Sequence, residues 1–389
     1  MTDDTSIHLL NRLYCVIFLI ILIILVGSKQ YVGKPIACWC PAMFTRQHVK
    51  YADDYCWISN TYYVDFKSDI PSGKELRTEN EIEYYQWVPL ILAFQAFLFY
   101  LPRIIWKQFG SYTFINIKKI LIMAEDATYL IGAKRDEAIE DIVSYLEKYI
   151  QIRNCASSSY RKMDILREQM AKVGLHYGNC LVLLFMMTSI LYMMSAMAQF
   201  VLLDVFLGND FKNFGFDFIA MIFKGKELED TRRFPRVTFC DLDVRQMTNV
   251  QTWTVQCSLP INLFNEKLFF FDWFMLVVMI TMNSIHCLCL FILIFLPSCT
   301  ENFICNFLEL GDFSSQQRNL QKFREVQHDF VRNYLRNDGA FIIWLLRNKT
   351  NPIITAEIVN RLWNSYSKQG LVEAKLHADE DNYLTTTNI

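Results

Sequence analysis

The sequence predicts an all-α membrane protein with four transmembrane helices, disulfide-bonded extracellular loops and a helical cytoplasmic dome. Three observations carry this expectation. The chain of 389 residues contains four long windows without a formal charge. Two of the segments between them mix acids with bases and hold Cys38, Cys40, Cys56, Cys240 and Cys257, whereas the third is biased toward Lys and Arg. Hydrophobic residues make up 53% of the chain and mean hydropathy is +0.17, too apolar for a typical solvated domain, yet 20% charged residues require substantial water-exposed parts. A net charge of -2 suits neither a nucleic-acid binder nor a polybasic membrane-surface protein.

Taken in order, residues 1–12 form an amino-terminal segment and 13–32 the first span. Its charge-free part, Leu13 to Ser28, is short for a crossing unless Leu9 to Asn11 contribute and Arg12 snorkels to the surface. A cleavable signal peptide competes here, with Arg12 as its basic region and Val26-Gly27-Ser28 as a small-residue cleavage site. Residues 33–83 form the first outer loop and 84–106 the second span. Tyr84 through Pro102 carries no charge, and its nineteen residues make a helix of about 28 Å, close to the hydrocarbon thickness. Tyr84, Tyr85 and Trp87 at one end and Tyr100 and Trp106 at the other match the aromatic belts of the two interfaces. Pro89 cannot bond the carbonyl of Tyr85, so a kink is expected there. A buried soluble helix is the bland alternative, and three further windows weigh against it. The third span, 177–203, is the charge-free run of 27 residues between His176 and Asp204, and the fourth, 269–296, is drawn around the 28 charge-free residues between Asp272 and Glu301, with the second outer loop, 204–268, between the two spans. Phe269 to Trp273 form a further aromatic belt. In FNEK, Phe264 to Lys267, Asn265 is read as a helix cap and Glu266 as an acid of the first turn.

Four spans put both termini on one side. Arg103, Lys107, Lys118, Lys119, Arg161, Lys162, Arg167 and Lys172 place the 107–176 loop, and hence both termini, in the cytoplasm. Cysteines in the other two loops are then expected to be bridged. Cys38 and Cys56 are 18 apart and Cys240 and Cys257 are 17 apart, so two loop segments side by side could be joined by two rungs, but four cysteines leave three connectivities. Within 107–176, Ile139, Ile142, Val143, Leu146 and Ile150 make one apolar helical stripe and Ile165, Leu166, Met170 and Val173 another. The tail, 297–389, adds Phe323, Val326, Phe330, Val331 and Tyr334, then Asp338 to Leu346 and Glu357 to Trp363, with a polar end after Lys375.

No enzyme chemistry emerges, and neither a cofactor nor a metal is implied. His8, His48, His176, His286, His328 and His377 are scattered without metal-ligand spacing, and no phosphate loop or nucleophile elbow occurs. His286 to Cys289, HCLC, lies in the fourth span, where polar groups more often bond a neighbouring helix. Cys299 and Cys305 are read as ordinary thiols rather than lipidation sites, and the Asn348 sequon falls in the cytoplasmic tail.

The stretch Tyr84, Tyr85, Gln86, Trp87, Val88, Pro89, followed by an apolar run ending FYLPR, resembles the signature of the innexins, the invertebrate gap-junction proteins. So do NRL and SKQYVG around the first span and Phe234 to Phe274 of the second loop. The resemblance implies bridges Cys38 to Cys257 and Cys56 to Cys240. Cys40 is then left over as a free or minor thiol, since CWCP stands where the family usually has one cysteine, although Cys38 and Cys40 could exchange roles. It also implies self-association into an octameric ring in the plasma membrane, docked end to end at a gap junction with the hemichannel of the neighbouring cell. Other innexins are possible partners, lipid surrounds the ring, and no nucleic acid is involved. The first span and amino terminus would face the pore, with Asp3, Asp4, Asn11 and Tyr14 as lining candidates. Rings of Asp3 and Asp4 would favour cations if they face the lumen, the bland reading being a solvated end. The family's amino-terminal segment is usually longer than the ten residues before Asn11 here. A non-junctional hemichannel of pannexin type and a four-span adhesion or scaffold protein are the alternatives.

Overall fold

The computed structural model describes residues 5–65, 68–110, 115–159, 179–208, 211–224, 233–311 and 326–368. The chain begins with α1 (Ser6–Tyr31), one continuous helix containing a π-turn at Leu10–Cys15. β1 (Ala37–Trp39), α2 (Arg46–Ile58), β2 (Thr61–Tyr62), α3 (Lys74–Thr78) and β3 (Glu81–Ile82) follow. Next come α4 (Val88–Gly110), α5 (Ile117–Tyr129), α6 (Ala133–Ser159), α7 (Cys180–Phe206) and α8 (Phe211–Lys224). The hairpin of β4 (Val237–Gln246) and β5 (Asn249–Ser258) leads into α9 (Pro260–Phe295), α10 (Pro297–Gly311), α11 (Arg336–Lys349) and α12, residues 352–368. Among the described residues, α1, α4, α7 and α9 are long and apolar enough to cross a membrane.

The expected pore-facing Asp3 and Asp4, the cations Arg161, Lys162, Arg167 and Lys172, the stripe Ile165, Leu166, Met170 and Val173, and Phe323 lie outside the described residues. So do His176, His377 and the end beyond Lys375.

The chain divides into two compact units. One, the sheet unit, comprises Leu9–Pro102 and Tyr192–Asn283; the other, the tail unit, comprises Met1–His8, Arg103–Leu191 and Ser284–Ile389. Each of the four long helices contributes residues to both.

In the sheet unit, α1 buries Asn11, Cys15, Leu19, Leu22, Val26 and Gln30 at steps of three or four, leaving Tyr14, Ile17, Ile21 and Ile24 exposed on another face. Leu9 to Asn11 do extend this helix, which removes the shortage of length in the first window. Pro89 does not kink a helix. Tyr84–Gln86 form a separate 3₁₀ turn, α4 starts at Val88, and the proline sits in the first turn, where an N–H has no intrahelical partner. The interior proline is Pro102, and the carbonyl it frees, that of Leu98, accepts a hydrogen bond from Ser195 Oγ of α7 at 3.1 Å.

The loops of this unit build a five-stranded antiparallel sheet of order β1-β5-β4-β2-β3. β4 and β5 pair from Val237↔Ser258 to Gln246↔Asn249 through a two-residue turn in which Met247 has φ 54°. Thr238, Cys240 and Leu242 alternate inward along β4, as a half-buried strand requires.

The described residues of the tail unit form helices joined by short turns. The stripe Ile139, Ile142, Val143, Leu146 and Ile150 of α6 is buried in one core with residues of α5, α11 and α12. Asn116 caps α5 by accepting the Lys119 N–H at 3.1 Å, and Gly132 takes the left-handed conformation, φ 67°, at the turn into α6. Asp338 of α11 is buried and accepts the N–H of Val182 at 3.0 Å, so a tail residue caps the start of α7.

Candidate functional site

The sheet is stapled twice. Cys38 and Cys257 face each other across β1 and β5 and are disulfide-bonded, with Cα atoms 3.9 Å apart. Cys56 of α2 is bonded to Cys240 of β4, Cα atoms 5.8 Å apart. α2 is held in place by a capping box at Thr45 and His48, and its Asp53 accepts the Cys38 N–H at 2.7 Å. Burial raises the Asp53 carboxyl above its usual range. Cys40 is a free, half-buried thiol, pushed up first by burial and then by Asp53. Among the described residues, the only metal-compatible grouping is Cys38, Cys56 and Cys257, within 4.8 Å of one another, and all three sulfurs are engaged in disulfides.

A polar knot joins the two loops beside the staples. Asp241 of β4 accepts Arg77 Nη1 at 2.8 Å, Tyr62 Oη at 3.1 Å and Thr254 Oγ1 at 2.7 Å, and the Arg77 guanidinium lies 5.9 Å from the Tyr62 ring centre. Burial and the neighbouring Asp241 push the Tyr62 phenol up to about 12.

The YYQWVP motif ties this cap to α4. Tyr84 Oη donates to the Arg233 carbonyl at 2.9 Å, leading into β4. Tyr85 is fully buried against Trp57, ring centroids 4.8 Å apart. Gln86 Nε2 donates to the Trp57 carbonyl and to Asn60 Oδ1 at 3.1 Å, while the Gln86 carbonyl accepts Gln30 Nε2 at 3.3 Å. Val88 is buried and begins α4, with Pro89 next to it in the first turn. The expected belt of Tyr84, Tyr85 and Trp87 is therefore corrected: only Trp87, 56% exposed, faces outward, because the tyrosines are needed to join the loops. Trp106, Phe269 and Trp273 are buried likewise, leaving Tyr100 and Phe271 as exposed rings. The reading of Asn265 as a cap is also corrected. α9 begins at Pro260, which places Asn265 fully buried in its second turn, beside Asn262, whose own Nδ2 donates to the Pro235 carbonyl at 2.8 Å. Glu266 pairs with Arg236 at 3.4 Å.

Within the spans, polar side chains meet in pairs. Asn11 and Asn283 exchange amide hydrogen bonds at 2.8 and 3.1 Å. Asn11 is fully buried, so its expected place on a pore wall is corrected: an amide at this depth is satisfied by its partner on α9. Tyr14 is 57% exposed. Gln95 Nε2 donates to Asp272 Oδ2 at 3.2 Å, both fully buried. Asp272, which bounds the fourth charge-free window in the sequence, thus lies inside α9. In the tail unit, His8 Nε2 bonds Ser189 Oγ at 2.9 Å, and His286 lies edge-on to His8 with centroids 5.2 Å apart.

Four apolar helices whose connecting loops are closed by two disulfides into one sheet define a multi-pass membrane protein with a covalently stapled cap. The innexin family model matches residues 3–366. The chain belongs to the innexin family. It is 33% identical over 375 residues to Innexin unc-9 of Caenorhabditis elegans, covering 96% of this chain and 95% of that one. It is 32% identical over 367 residues to Innexin-3 (94% and 84%) and 31% identical over 402 residues to Innexin eat-5 (99% and 92%), both from the same organism. The family consists of channel proteins rather than enzymes, and membership makes this chain a subunit of oligomeric gap-junction channels.

Proposed function

We propose that copies of this chain form an octameric ring around a water path, and that the ring docks end to end with a hemichannel of the neighbouring cell to pass ions and small metabolites. The observation that carries the reading is the closure of both cysteine-bearing loops into one sheet by two disulfides in a member of this family. Such bonds persist outside the cell, which supports an extracellular position for the two loops and a cytoplasmic one for both termini. A stapled cap also suits docking, because a surface already ordered loses little conformational freedom on association. α1 supports the lining role: it withdraws Asn11 toward α9 and presents Tyr14, Ile17, Ile21 and Ile24 on an uncovered face. Eight copies of that stripe would form an apolar constriction, and a ring of Asp3 and Asp4 beyond it would favour cations.

Dye transfer between paired cells expressing the chain tests the reading. Transfer between partners is expected. Uptake into single cells without transfer would remove the docking claim, and neither uptake nor transfer would remove the pore.

A further inference from the structure

α8 sits at the point where protein, lipid and water would meet, and its side chains fall into three faces. Projected at 3.6 residues per turn, Phe211, Phe214 and Gly215 are buried on one face. A second carries the exposed Phe216 and Phe223, 65% and 87% accessible, with Ile219 between them. Asn213, Asp217 and Lys224 form a third, polar face. An amphipathic surface helix needs one apolar face, and among the described residues the second is left exposed.

The helix is fixed in position. Buried Asp204 accepts the N–H groups of Phe211 at 3.0 Å and Lys212 at 3.3 Å, capping its start from the end of α7. Trp273 of α9 donates its indole N–H to the Lys212 carbonyl at 3.3 Å. Gly215 presses on that indole so closely that a Cβ there would come within 2.1 Å of it. Phe218 stacks on Phe270 at 4.3 Å, and the exposed Phe216 meets Trp273 edge-on at 5.0 Å.

Trp273 sets the depth. From Trp273 to its end at Phe295, α9 rises about 33 Å, close to the ~30 Å of a hydrocarbon layer, so Trp273 lies near one boundary of that layer. Phe271 and Phe274, which flank Trp273 on α9, are likewise exposed. Lys212, a long cationic side chain of the kind that suits such a boundary, pairs its ammonium with Asp204 at 3.3 Å.

We infer that α8 is an interfacial helix, with Phe216 and Phe223 inserted among phospholipids at the headgroup–acyl boundary of the leaflet on the sheet side, anchoring the stapled cap to the bilayer. This goes beyond the channel reading and does not depend on it, since the contact belongs to the single protomer.

The test places photoreactive p-benzoylphenylalanine at Phe216, Phe223, Asn213 or Asp217, one at a time, in the full chain in membranes. Non-reducing electrophoresis verifies both disulfides, so only folded protein is scored. After irradiation, mass spectrometry is expected to find phospholipid adducts at 216 and 223 several-fold above 213 and 217. Crosslinks from 216 and 223 to a second copy or another protein, or equal lipid labelling at all four positions, would overturn the inference. Both probe sites are exposed, and either one suffices.

Discussion

In the sheet unit, two disulfides, the shared carboxylate of Asp241 and the amide pair of Asn11 and Asn283 hold segments far apart in sequence. The tail unit has neither staple nor sheet among its described residues; Ile139, Ile142, Phe341, Leu346 and Ile358 close an apolar core, with Asp338 as its buried polar anchor. The difference follows from what each has to bury. Short strands and loops lack apolar surface for a core of their own, so cross-links that restrict the unfolded chain take over part of the stabilisation. Long amphipathic helices bury enough apolar area without them. The two units should therefore fail under different treatments.

Reduction gives the sharpest contrast. Cys56→Ser, or dithiothreitol, is expected to cost the sheet unit ~2–5 kcal/mol and to abolish junctional dye transfer. Hydrogen exchange of α5, α6 and α11 should stay unchanged, and equal loosening of both units would erase the distinction. Asp338→Ala should do the reverse. It strips the acceptor from the Val182 N–H and leaves that donor buried, a loss of ~1–3 kcal/mol, read as faster exchange at the start of α7 and earlier proteolysis of the tail with both disulfides intact.

A smaller effect, and one that depends on pH, is expected at Tyr62. Its folded phenol is pushed up from 10 to about 12, so it holds its proton more tightly than in the unfolded chain. The resulting stabilisation is complete below pH 10 and disappears as the pH rises through 12. Tyr62→Phe should cost ~1 kcal/mol at neutral pH and flatten the alkaline limb of the sheet unit's melting curve; an unchanged limb would assign it to other groups. Ser195→Ala is the mildest change, removing the donor to the Leu98 carbonyl for ~0.6 kcal/mol, measured as a slightly lower melting temperature with dye transfer retained.

The spans were legible because freedom from charge over a bilayer's thickness is a local property of the sequence. The cysteine pairing was not: spacing left three connectivities, and only the family resemblance chose between them. The β4–β5 hairpin carries a local signal, alternation at Thr238, Cys240 and Leu242, whereas its pairing with β1 and β2 is distant in sequence and has none. Pro260 was likewise a readable start for α9, since proline is tolerated at the first helical position. Tyr84 and Tyr85 have the composition of an interfacial belt whether they face lipid or protein; Trp57 and Arg233, on other segments, decide it. Asn11 is the same case, its direction set by Asn283.

If many copies of this stapled four-helix protein surround water, a projection image of the purified particle along the membrane normal will show a ring of eight subunits with a gap in density at its centre. A particle without rotational symmetry, or a ring filled by protein at its axis, would exclude that assembly.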